Sequence, residues 1–219
     1  MQAIEEKLVP PHSLADVTPR DMLSVGGPVY DPPYDTPLED ELAWHLVKYL
    51  NRRAALFSQV RVPTPCGVFW VDFVLLHEGR RVALECGTME GVEDEQQQQY
   101  RDALIMGSGM FDVLYRVRGR DLFYFMEDVV QVLAKAHPAY FTARAQINLS
   151  RLAAPEVAAY EVPRTGMVLA VPHGCPAPDG GDATLRMKRL RLHCATDWVR
   201  HHDDALAHYG LPERYARSA

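Results

Sequence analysis

Apolar residues recur at helical spacing soon after a proline-rich opening segment. The stripe is formed by Leu42, Ala43, Leu46, Val47 and Leu50. This spacing follows the period of a helix that buries one face. Just before it, Thr36 is suited to the N-cap, Pro37 to the first helical position and Glu39 to a capping box. The pattern predicts a helix from Thr36 to about Asn51.

Two apolar runs, residues 68–76 and 81–86, lie on either side of a turn at Glu78 and Gly79. Glycine supplies the positive φ that tight hairpin turns favour, so the runs predict two antiparallel strands. Apolar residues occupy both alternating sets of positions, which indicates that both faces of the hairpin are covered. We therefore place this hairpin in the middle of a sheet.

The remaining periodic segments complete an α/β fold. The predicted helices span residues 91–106, 128–136 and 198–209, and the predicted strands span 111–117, 167–171 and 185–192. The order of helices and strands predicts a mixed central β-sheet flanked by helices, with a C-terminal β-rich extension.

Composition divides the chain into three parts. Residues 1–35 are rich in proline and predict an extended N-terminal arm. Residues 36–139 contain the α/β core, and residues 140–219 form an extension that we expect to pack on the core. This extension is the expected surface for a second copy of the chain or another protein partner.

The facing positions of the predicted hairpin identify a candidate site. In a two-residue turn the numbers of facing residues sum to 157, which places Asp72 opposite Glu85. Buried like charges must be protonated, paired or bound to a cation, and two carboxylates open to solvent at one end suit Mg²⁺. The alternative is that each carboxylate is solvated or paired with an arginine such as Arg81 or Arg101. A bulge at the turn would also change the register.

Charge and composition narrow the class of protein. The 219-residue chain carries 23 basic and 29 acidic residues, a net charge of −6. This balance argues against a protein that coats nucleic acid, but it is compatible with a nuclease that has an acidic metal site. No apolar run approaches the roughly 20 residues that span a bilayer, and the four cysteines are too scattered for a disulfide scaffold. We expect a cytoplasmic protein without a membrane partner.

Four short motifs follow one another along the predicted core. They are T-P-L-E at 36–39, V-D-F-V-L at 71–75, V-A-L-E-C-G at 82–87 and Y-R-D-A-L at 100–104. In this order the chain resembles the PD-(D/E)XK nuclease superfamily and is most similar to the branch that includes very-short-patch-repair endonucleases. The resemblance covers residues 36 to about 137 and implies a restriction-endonuclease-like core.

The resemblance implies a metal-dependent endonuclease that hydrolyses DNA phosphodiester bonds in repair or defence. It implies that Glu39, Asp72 and Glu85 bind Mg²⁺ or Mn²⁺ and act in catalysis. Such an ion lowers the pKa of the attacking water and neutralises charge in the transition state. Glu41 is an alternative to Glu39, because Glu39 is also suited to the capping box.

Gly87 departs from the family pattern. The superfamily usually has lysine two residues after the strand glutamate, and the most similar branch has aspartate, but glycine stands there in this chain. Glycine has no side chain to bind metal or orient water. The alternative hypothesis is a catalytically impaired nuclease-fold protein that acts as a DNA-binding or protein-interaction module.

Other residues are candidates to replace the missing side chain. Gln96 and Tyr100 are four residues apart, so they share a helix face, and they reproduce the Q-x-x-x-Y element of some relatives. The alternative for Gln96 is a solvated helix surface, and for Tyr100 a place in the core. Lys48, Glu90 and Glu93 are further candidates.

Basic residues outline a candidate DNA-binding surface. Arg116, Arg118 and Arg120 alternate, which on a strand would place them on one face near the spacing of successive phosphates. Arg101 in the Y-R-D motif and Lys188 in a second basic stretch complete the set. The alternative is a solvated sheet surface balanced by neighbouring acids.

The C-terminal part contains a candidate zinc site formed by His173, Cys175, His193 and Cys194. Their spacing differs from the usual pairs of zinc ligands. The alternative is a pair of ordinary strand ends with buried thiols.

Cys86 is also a candidate nucleophile, with His45 or His77 as its base. The sequence identifies no third residue to orient that base. The alternative is a thiol that packs at a strand end.

Overall fold

A mixed β-sheet with helices on both faces organises the described part of the chain. The computed structural model describes residues 27–87, 95–159, 183–186, 191–195 and 197–210. The predicted α/β class, with a mixed sheet flanked by helices, is confirmed.

Apart from β1, which the sequence patterns do not predict, the core elements follow one another in the predicted order. The first half contains α1 (Pro37–Tyr49), β1 (Ala55–Thr64), β2 (Gly67–His77), β3 (Arg80–Cys86), α2 (Glu95–Gly107) and β4 (Val113–Val117). The second half contains α3 (Gly119–Ala136), a 3₁₀ turn (Pro138–Tyr140), α4 (Ala143–Leu152), α5 (Pro155–Ala159), β5 (Ala183–Arg186), β6 (Arg191–Cys194) and α6 (Trp198–Tyr209).

The strand order across the sheet is β1-β2-β3-β4-β6-β5. The first three strands form an antiparallel meander, β3 and β4 are parallel, and β6 and β5 continue antiparallel beyond β4. A parallel pair needs a long crossover connection, and α2 lies in that connection. In this strand order β3 and β4 lie in the middle of the sheet, each with a strand on both sides.

Two apolar layers cover the faces of the sheet. One layer packs α1, α3 and α4 against the sheet and includes Leu42, Phe73 and Leu133. The other lies on the side of α2 and includes Val74 and Ile105. Neighbouring positions on β2 are therefore buried on opposite faces, as predicted for a central hairpin.

The start of α1 agrees with the predicted cap. The Glu39 N–H donates to Thr36 Oγ1 (3.2 Å), and Pro37 occupies the first helical position. The Glu39 carboxylate differs from an ordinary capping box, because its Oε1 accepts from the Thr36 hydroxyl (2.9 Å) and not from the Thr36 backbone. The cap therefore holds the Glu39 side chain in the first turn of the helix.

Several predicted boundaries are wrong, and some elements were not predicted. The sequence patterns miss β1, where Gln59 has a left-handed backbone (φ 49°) and Pro63 interrupts the run. The helix expected at 128–136 begins at Gly119, with non-helical geometry at Phe125 (φ −140°, ψ 37°). The strand expected at 185–192 is replaced by β5 and β6, and residues 143–159 contain helices instead of continuing a β-rich extension.

Some expectations lie outside the described residues. They include residues 1–26 of the predicted arm and the strand at 167–171. Within the described ranges, none of the helices has the length and apolar character needed to cross a bilayer.

A pair of leucines on α4 tests whether this unpredicted helix belongs to the core. Leu149 is fully buried, whereas Leu152, one turn later, is 58% exposed. We expect Leu149→Ala to lower the free energy of unfolding by ~2–5 kcal/mol, because it leaves a cavity in the core. Leu152→Ala should change it by less than ~0.5 kcal/mol. Urea unfolding followed by circular dichroism measures both, and equal losses would contradict this placement of α4.

Candidate functional site

The candidate site lies where β2 and β3 pass beneath α2 and beside the start of α1. The predicted register is confirmed, since Phe73 pairs with Leu84 and the facing positions continue to sum to 157 as far as His77 and Arg80. Asp72 and Glu85 are the next positions on the two strands beyond the pair formed by Phe73 and Leu84. There the Cys86 N–H donates to Asp72 Oδ2 (2.7 Å), so the Asp72 carboxylate takes a backbone hydrogen bond from the opposite strand.

Glu85 is buried and forms an ion pair with Arg101. Its side chain is 3% exposed, and the Arg101 guanidinium contacts both carboxylate oxygens, with Nη1 3.0 Å from Oε2 and Nη2 3.1 Å from Oε1. The same Nη2 donates to the Trp70 carbonyl (2.5 Å). Arg101 therefore ties α2 to both β2 and β3. The sequence analysis gave pairing with an arginine as the alternative to a metal ligand, and the structure shows this pairing for Glu85.

A second arginine completes the charge cluster behind Glu85. Arg116 lies opposite Glu85 in the parallel pairing of β3 and β4, and its Nη1 is 4.0 Å from Glu85 Oε2. Its guanidinium is held by both oxygens of the buried Asp102 carboxylate on α2. Together with Asp72, the cluster places three carboxyl groups around two guanidinium groups.

Glu39 approaches the cluster from α1. It is buried, and Gln59 Nε2 donates to its Oε2 (3.1 Å). Gln59 is the left-handed residue of β1 and lies between Ser58, which pairs with Phe73, and Val60, which pairs with Val71. It therefore faces the position of Asp72.

Burial raises the pKa of all three predicted carboxyl ligands, and the charge of Asp72 adds to this rise at Glu39 and Glu85. Desolvation is the largest cause at Glu85, whose pKa rises to about 8, while Arg101 acts in the opposite direction. Desolvation also raises the pKa of Asp72, against the backbone hydrogen bond from Cys86. At Glu39, desolvation and then the charge of Asp72 raise the pKa. The structure thus brings these acids close enough to influence one another's protonation.

Gly87 has a structural explanation. Its N–H donates to the Val117 carbonyl (2.6 Å). A Cβ at this position would lie 3.1 Å from that oxygen and 3.3 Å from Arg118 Cα. These distances are shorter than ordinary carbon contacts, so the start of α3 leaves little room for a side chain. The backbone of Val117 and Arg118 occupies the space beside the residue where the family usually has lysine or aspartate.

The proposed Gln96–Tyr100 pair is present on α2. Gln96 Nε2 donates to the Tyr100 hydroxyl (2.7 Å), which confirms that the two share a helix face. The Tyr100 ring packs against His208 of α6 at 5.2 Å between ring centroids. A catalytic role for either residue stays a prediction.

The predicted arginine row is wrong. Because β4 ends at Val117, Arg118 caps α3 and Arg120 lies within it, so they do not share a strand face with Arg116. Arg116 is buried and forms an ion pair with Asp102, and Arg118 forms an ion pair with Asp121 (3.0 Å). Arg101 is engaged with Glu85. The side chain of Lys188 lies outside the described residues.

Other residues raised from the sequence have different surroundings. Glu41 is exposed and contacts His45 (3.4 Å), which favours Glu39 as the first-helix member of the site. Lys48 lies over the Trp44 ring at 4.9 Å from its centroid. Glu90 and Glu93 lie outside the described residues.

The two cysteine hypotheses gain no support. Burial, with the nearby Asp72, Glu39 and Glu85 charges, raises the pKa of the Cys86 thiol well above its usual value, which disfavours a thiolate nucleophile. Cys194 is buried in the apolar layer beneath α1. His173 and Cys175 lie outside the described residues, so the zinc hypothesis stays a prediction.

Sequence reasoning missed two residues of the cluster. Asp102 belongs to the Y-R-D motif but has no predicted role of its own, and its partner Arg116 lies on a different element, β4. Gln59 carried no signal, because β1 was not predicted.

The donors have the right chemistry for a divalent metal, but they are not assembled as a metal cage. Carboxylate oxygens of Glu39, Asp72 and Glu85 are the hard ligands that Mg²⁺ prefers. Within the ranges that the structure describes, no group of three or more His, Cys, Asp or Glu side chains is arranged to hold an ion. Arg101 contacts both of the oxygens that a cation at Glu85 would need.

The fold and the site define an α/β protein with a buried carboxylate–arginine cluster in the middle of a mixed sheet. No family model, curated protein or solved structure matches the chain. Its function must therefore be argued from the chemistry of this cluster.

The raised pKa of Glu85 predicts how stability depends on pH. A carboxyl group that binds its proton more tightly when folded stabilises the protein at low pH, and this contribution is lost as pH rises from about 4.5 to about 8. In EDTA, the free energy of unfolding of the wild type should fall by at least ~1 kcal/mol more than that of Glu85→Gln between pH 5 and 8.

Urea unfolding at several pH values measures this difference. Comparing the two proteins cancels His137, whose pKa burial lowers to about 4 and whose stabilising contribution is lost as pH falls from about 6.5 to about 4. Parallel curves for the two proteins would contradict the prediction.

Proposed function

We propose that this protein is a metal-dependent endonuclease that hydrolyses DNA phosphodiester bonds. The observation that carries the proposal is that Glu39, Asp72 and Glu85 come from three different elements to one end of the β2–β3 pair: Glu39 and Glu85 are buried, Asp72 accepts from the Cys86 N–H next to Glu85, and Glu39 accepts from Gln59 opposite Asp72. Folded proteins rarely bury several carboxyl groups together, because each buried carboxyl group must be protonated or paired with a positive charge. Perturbed acids that converge in this way are a common property of catalytic sites.

The order of the motifs also supports the proposal. The residues that resemble the nuclease superfamily lie on α1, on β2, at the end of β3 and on α2. The resemblance expects its motifs on a first helix, a strand, a neighbouring strand end and a following helix. The acids thus occur on the elements that the resemblance requires.

The residues of the chain have distinct roles in this proposal. Glu39, Asp72 and Glu85 would hold Mg²⁺ or Mn²⁺, which when bound supplies an acidified water and neutralises charge on the phosphate. The Cys86 N–H holds the Asp72 carboxylate in one orientation. Gln59 does the same for Glu39. These two contacts pre-orient oxygens that would otherwise rotate freely.

The second candidate is a nuclease-fold protein without catalysis that binds DNA. Two observations favour it: Gly87 has little room for the usual side chain, and Arg101 already pairs with Glu85. An internal guanidinium stabilises buried acids without a metal. A cleavage experiment separates this candidate from the endonuclease.

In this proposal the DNA-binding surface lies at the start of α3. Arg120, Phe123 and Tyr124 have the i, i+3, i+4 spacing of one helix face, and both aromatic side chains are 61% exposed. Exposed rings beside a cation suit unpaired bases, which stack on aromatic side chains. Because Gly87 packs against Arg118, this surface begins beside the strand that carries Glu85.

Replacing Asp72 tests the endonuclease proposal. We expect the wild type to cleave plasmid or oligonucleotide DNA with Mg²⁺ or Mn²⁺ and Asp72→Asn to lose at least ~100-fold in rate, more than the loss typical of residues that only support a metal ligand. Asn keeps an oxygen that can accept from the Cys86 N–H, so the fold should survive.

Asp112→Asn is the matched control. Asp112 also accepts a backbone N–H, from Arg81 (2.7 Å), but lies on the surface at the other end of β3. Its replacement should leave cleavage within about twofold. If the wild type binds DNA but cuts it with neither metal, the endonuclease proposal fails and the binding module is supported.

The aromatic surface makes a separate prediction about DNA binding. Phe123→Ala should weaken binding of a single-stranded oligonucleotide at least ~5-fold, since stacking contributes about 1–3 kcal/mol per base. Val199→Ala, at an equally exposed position on α6, is the control and should bind like the wild type. Fluorescence anisotropy in EDTA measures both affinities, and equal values would remove α3 from the DNA-binding surface.

A further inference from the structure

We infer that four exposed arginines, at the end of the molecule remote from the acid cluster, bind the phosphate backbone of double-stranded DNA. They are Arg52 and Arg53 after α1, Arg80 at the start of β3 and Arg144 in the first turn of α4. We call this surface the basic end. The proposed function does not use it, and the inference depends neither on metal binding nor on cleavage.

Charge is distributed unevenly along the chain. Residues 42–71 contain four Lys or Arg and no Asp or Glu, and residues 129–155 contain three Lys or Arg and no Asp or Glu. The whole chain nevertheless carries a net charge of −6. A surface that attracts anions must therefore be formed mainly by these two stretches.

The fold joins the two stretches. Leu50 pairs with Phe141 in an isolated antiparallel bridge, and the Asn51 N–H donates to the Tyr140 carbonyl (2.9 Å). The two arginines that follow Asn51 therefore lie beside the start of α4, where Arg144 is located.

Arg80 comes to the same end from the sheet. The Tyr140 hydroxyl donates to the Arg80 carbonyl (2.8 Å). Burial lowers the pKa of His137 and the charge of Arg80 lowers it further, so the Arg80 guanidinium lies near the segment that joins α3 to α4. The four arginines thus come from three separate parts of the fold and lie around that segment.

The basic end is far from the acids. Glu39 is in the first turn of α1, whereas Arg52 follows its last turn, and Glu85 is near the end of β3, whereas Arg80 is at its start. The 18 residues of α3 lead from the exposed aromatic rings at its start to the basic end, and they span roughly 27 Å at about 1.5 Å per residue.

The four guanidinium groups are available to an anion. Within the described ranges none of them forms an ion pair or a side-chain hydrogen bond. Two acids lie near them, Glu78 in the turn before Arg80 and Asp112 close to Tyr140. The Asp112 carboxylate accepts from the Arg81 backbone N–H (2.7 Å). Four arginines and two acids leave the surface with a net positive charge.

The backbone that carries these arginines is held in place. Asn51 Oδ1 accepts from the Arg53 N–H (2.7 Å) and from the Ala54 N–H (3.0 Å), and Thr142 Oγ1 accepts from the Ala145 N–H (3.0 Å) as the N-cap of α4. A surface that is already ordered loses less conformational entropy when it binds a partner.

Arg144 occupies a position that is unfavourable without an anion. The first turn of a helix carries a partial positive charge and favours acids, but the first turn of α4 contains no acid and has this arginine instead. A phosphate group bound beside Arg144 would remove the repulsion between the arginine and the helix.

The chemistry of the basic end favours a duplex over a single strand. Each guanidinium presents parallel N–H donors that match two phosphate oxygens. Proteins that bind single strands add exposed rings on which bases stack, but Tyr49, Tyr140 and Phe141 at this end are buried. Charges spread over three parts of the fold suit the phosphates of two strands, which position a protein without reading sequence.

Duplex binding in EDTA tests the inference. The double variant Arg53→Gln and Arg144→Gln should bind a short DNA duplex at least ~10-fold more weakly than the wild type at low salt, as measured by fluorescence anisotropy. The slope of log Kd against log salt should decrease by about 2, because each phosphate contact contributes about 0.9. The double variant Arg53→Lys and Arg144→Lys keeps both charges and should keep the slope.

The double variant Arg61→Gln and Arg200→Gln is the matched control. It removes the same charge from two exposed positions outside the basic end, on β1 and α6. Its Kd should stay within about threefold of the wild type, since a distant exposed charge is screened by salt. Circular dichroism verifies that all variants fold. Equal losses in the two glutamine double variants, or a wild type that does not bind the duplex at low salt, would overturn the inference.

Vesicles test whether the basic end faces a membrane instead. Ile147 is 55% exposed one turn beyond Arg144, and anionic membranes attract arginine together with exposed apolar side chains. We expect the wild type not to float with vesicles of phosphatidylserine and phosphatidylcholine. Flotation that requires Arg53 and Arg144, without duplex binding, would overturn the inference.

The outcomes distinguish this inference from the endonuclease proposal. Duplex binding that depends on Arg53 and Arg144 supports the basic end whether or not the wild type cuts DNA. If cleavage depends on Asp72 but the arginine variant and its control bind the duplex alike, the basic-end inference alone falls.

Discussion

The ion pair between Glu85 and Arg101 is the interaction on which the centre of this protein depends. An isolated carboxylate in the middle of a sheet would be strongly destabilising, and here it lies among further acids. Arg101 pairs with it from α2 and Arg116 approaches it from the next strand, and both oppose the rise in its pKa that burial causes. The position of α2 over the sheet is thus tied to the charge of the site as well as to apolar packing. A change in the charge of Glu85 should therefore also affect the packing of α2.

The local parts of this arrangement could be predicted from the sequence. The register that leads from the turn to the Phe73–Leu84 pair, next to Asp72 and Glu85, follows from the turn and the period of a strand, and the place of Glu39 follows from the Thr36 cap. Both depend on residues close together in the chain. The contact of Arg101 with Glu85 was raised only as an alternative, because it depends on how α2 lies over the sheet. The pairing of Arg116 with Glu85 depends on the parallel register of β3 and β4, which no local pattern encodes.

The role of Gly87 shows why a missing side chain is hard to interpret from sequence. Read alone, a glycine in place of lysine suggests loss of function. In the structure the same glycine permits the end of β3 to approach the start of α3 closely. The backbone constraint is independent of catalysis, since close packing favours a residue without a side chain in either case. What the residue says about activity therefore depends on which other groups reach the site.

The left-handed residue Gln59 interrupts the β1–β2 pairing without changing its register, since Ser58 pairs with Phe73 and Val60 with Val71. On the outer side of it, Val60, Val62 and Val71 pack in the layer beneath α2 together with Trp198, and Phe69 contacts Tyr209 at the end of α6. The outer hairpin also carries the Trp70 carbonyl that holds Arg101. Helix α6 lies far along the chain from the acids. By packing on the outer hairpin it supports the strand segment whose Trp70 carbonyl accepts from Arg101.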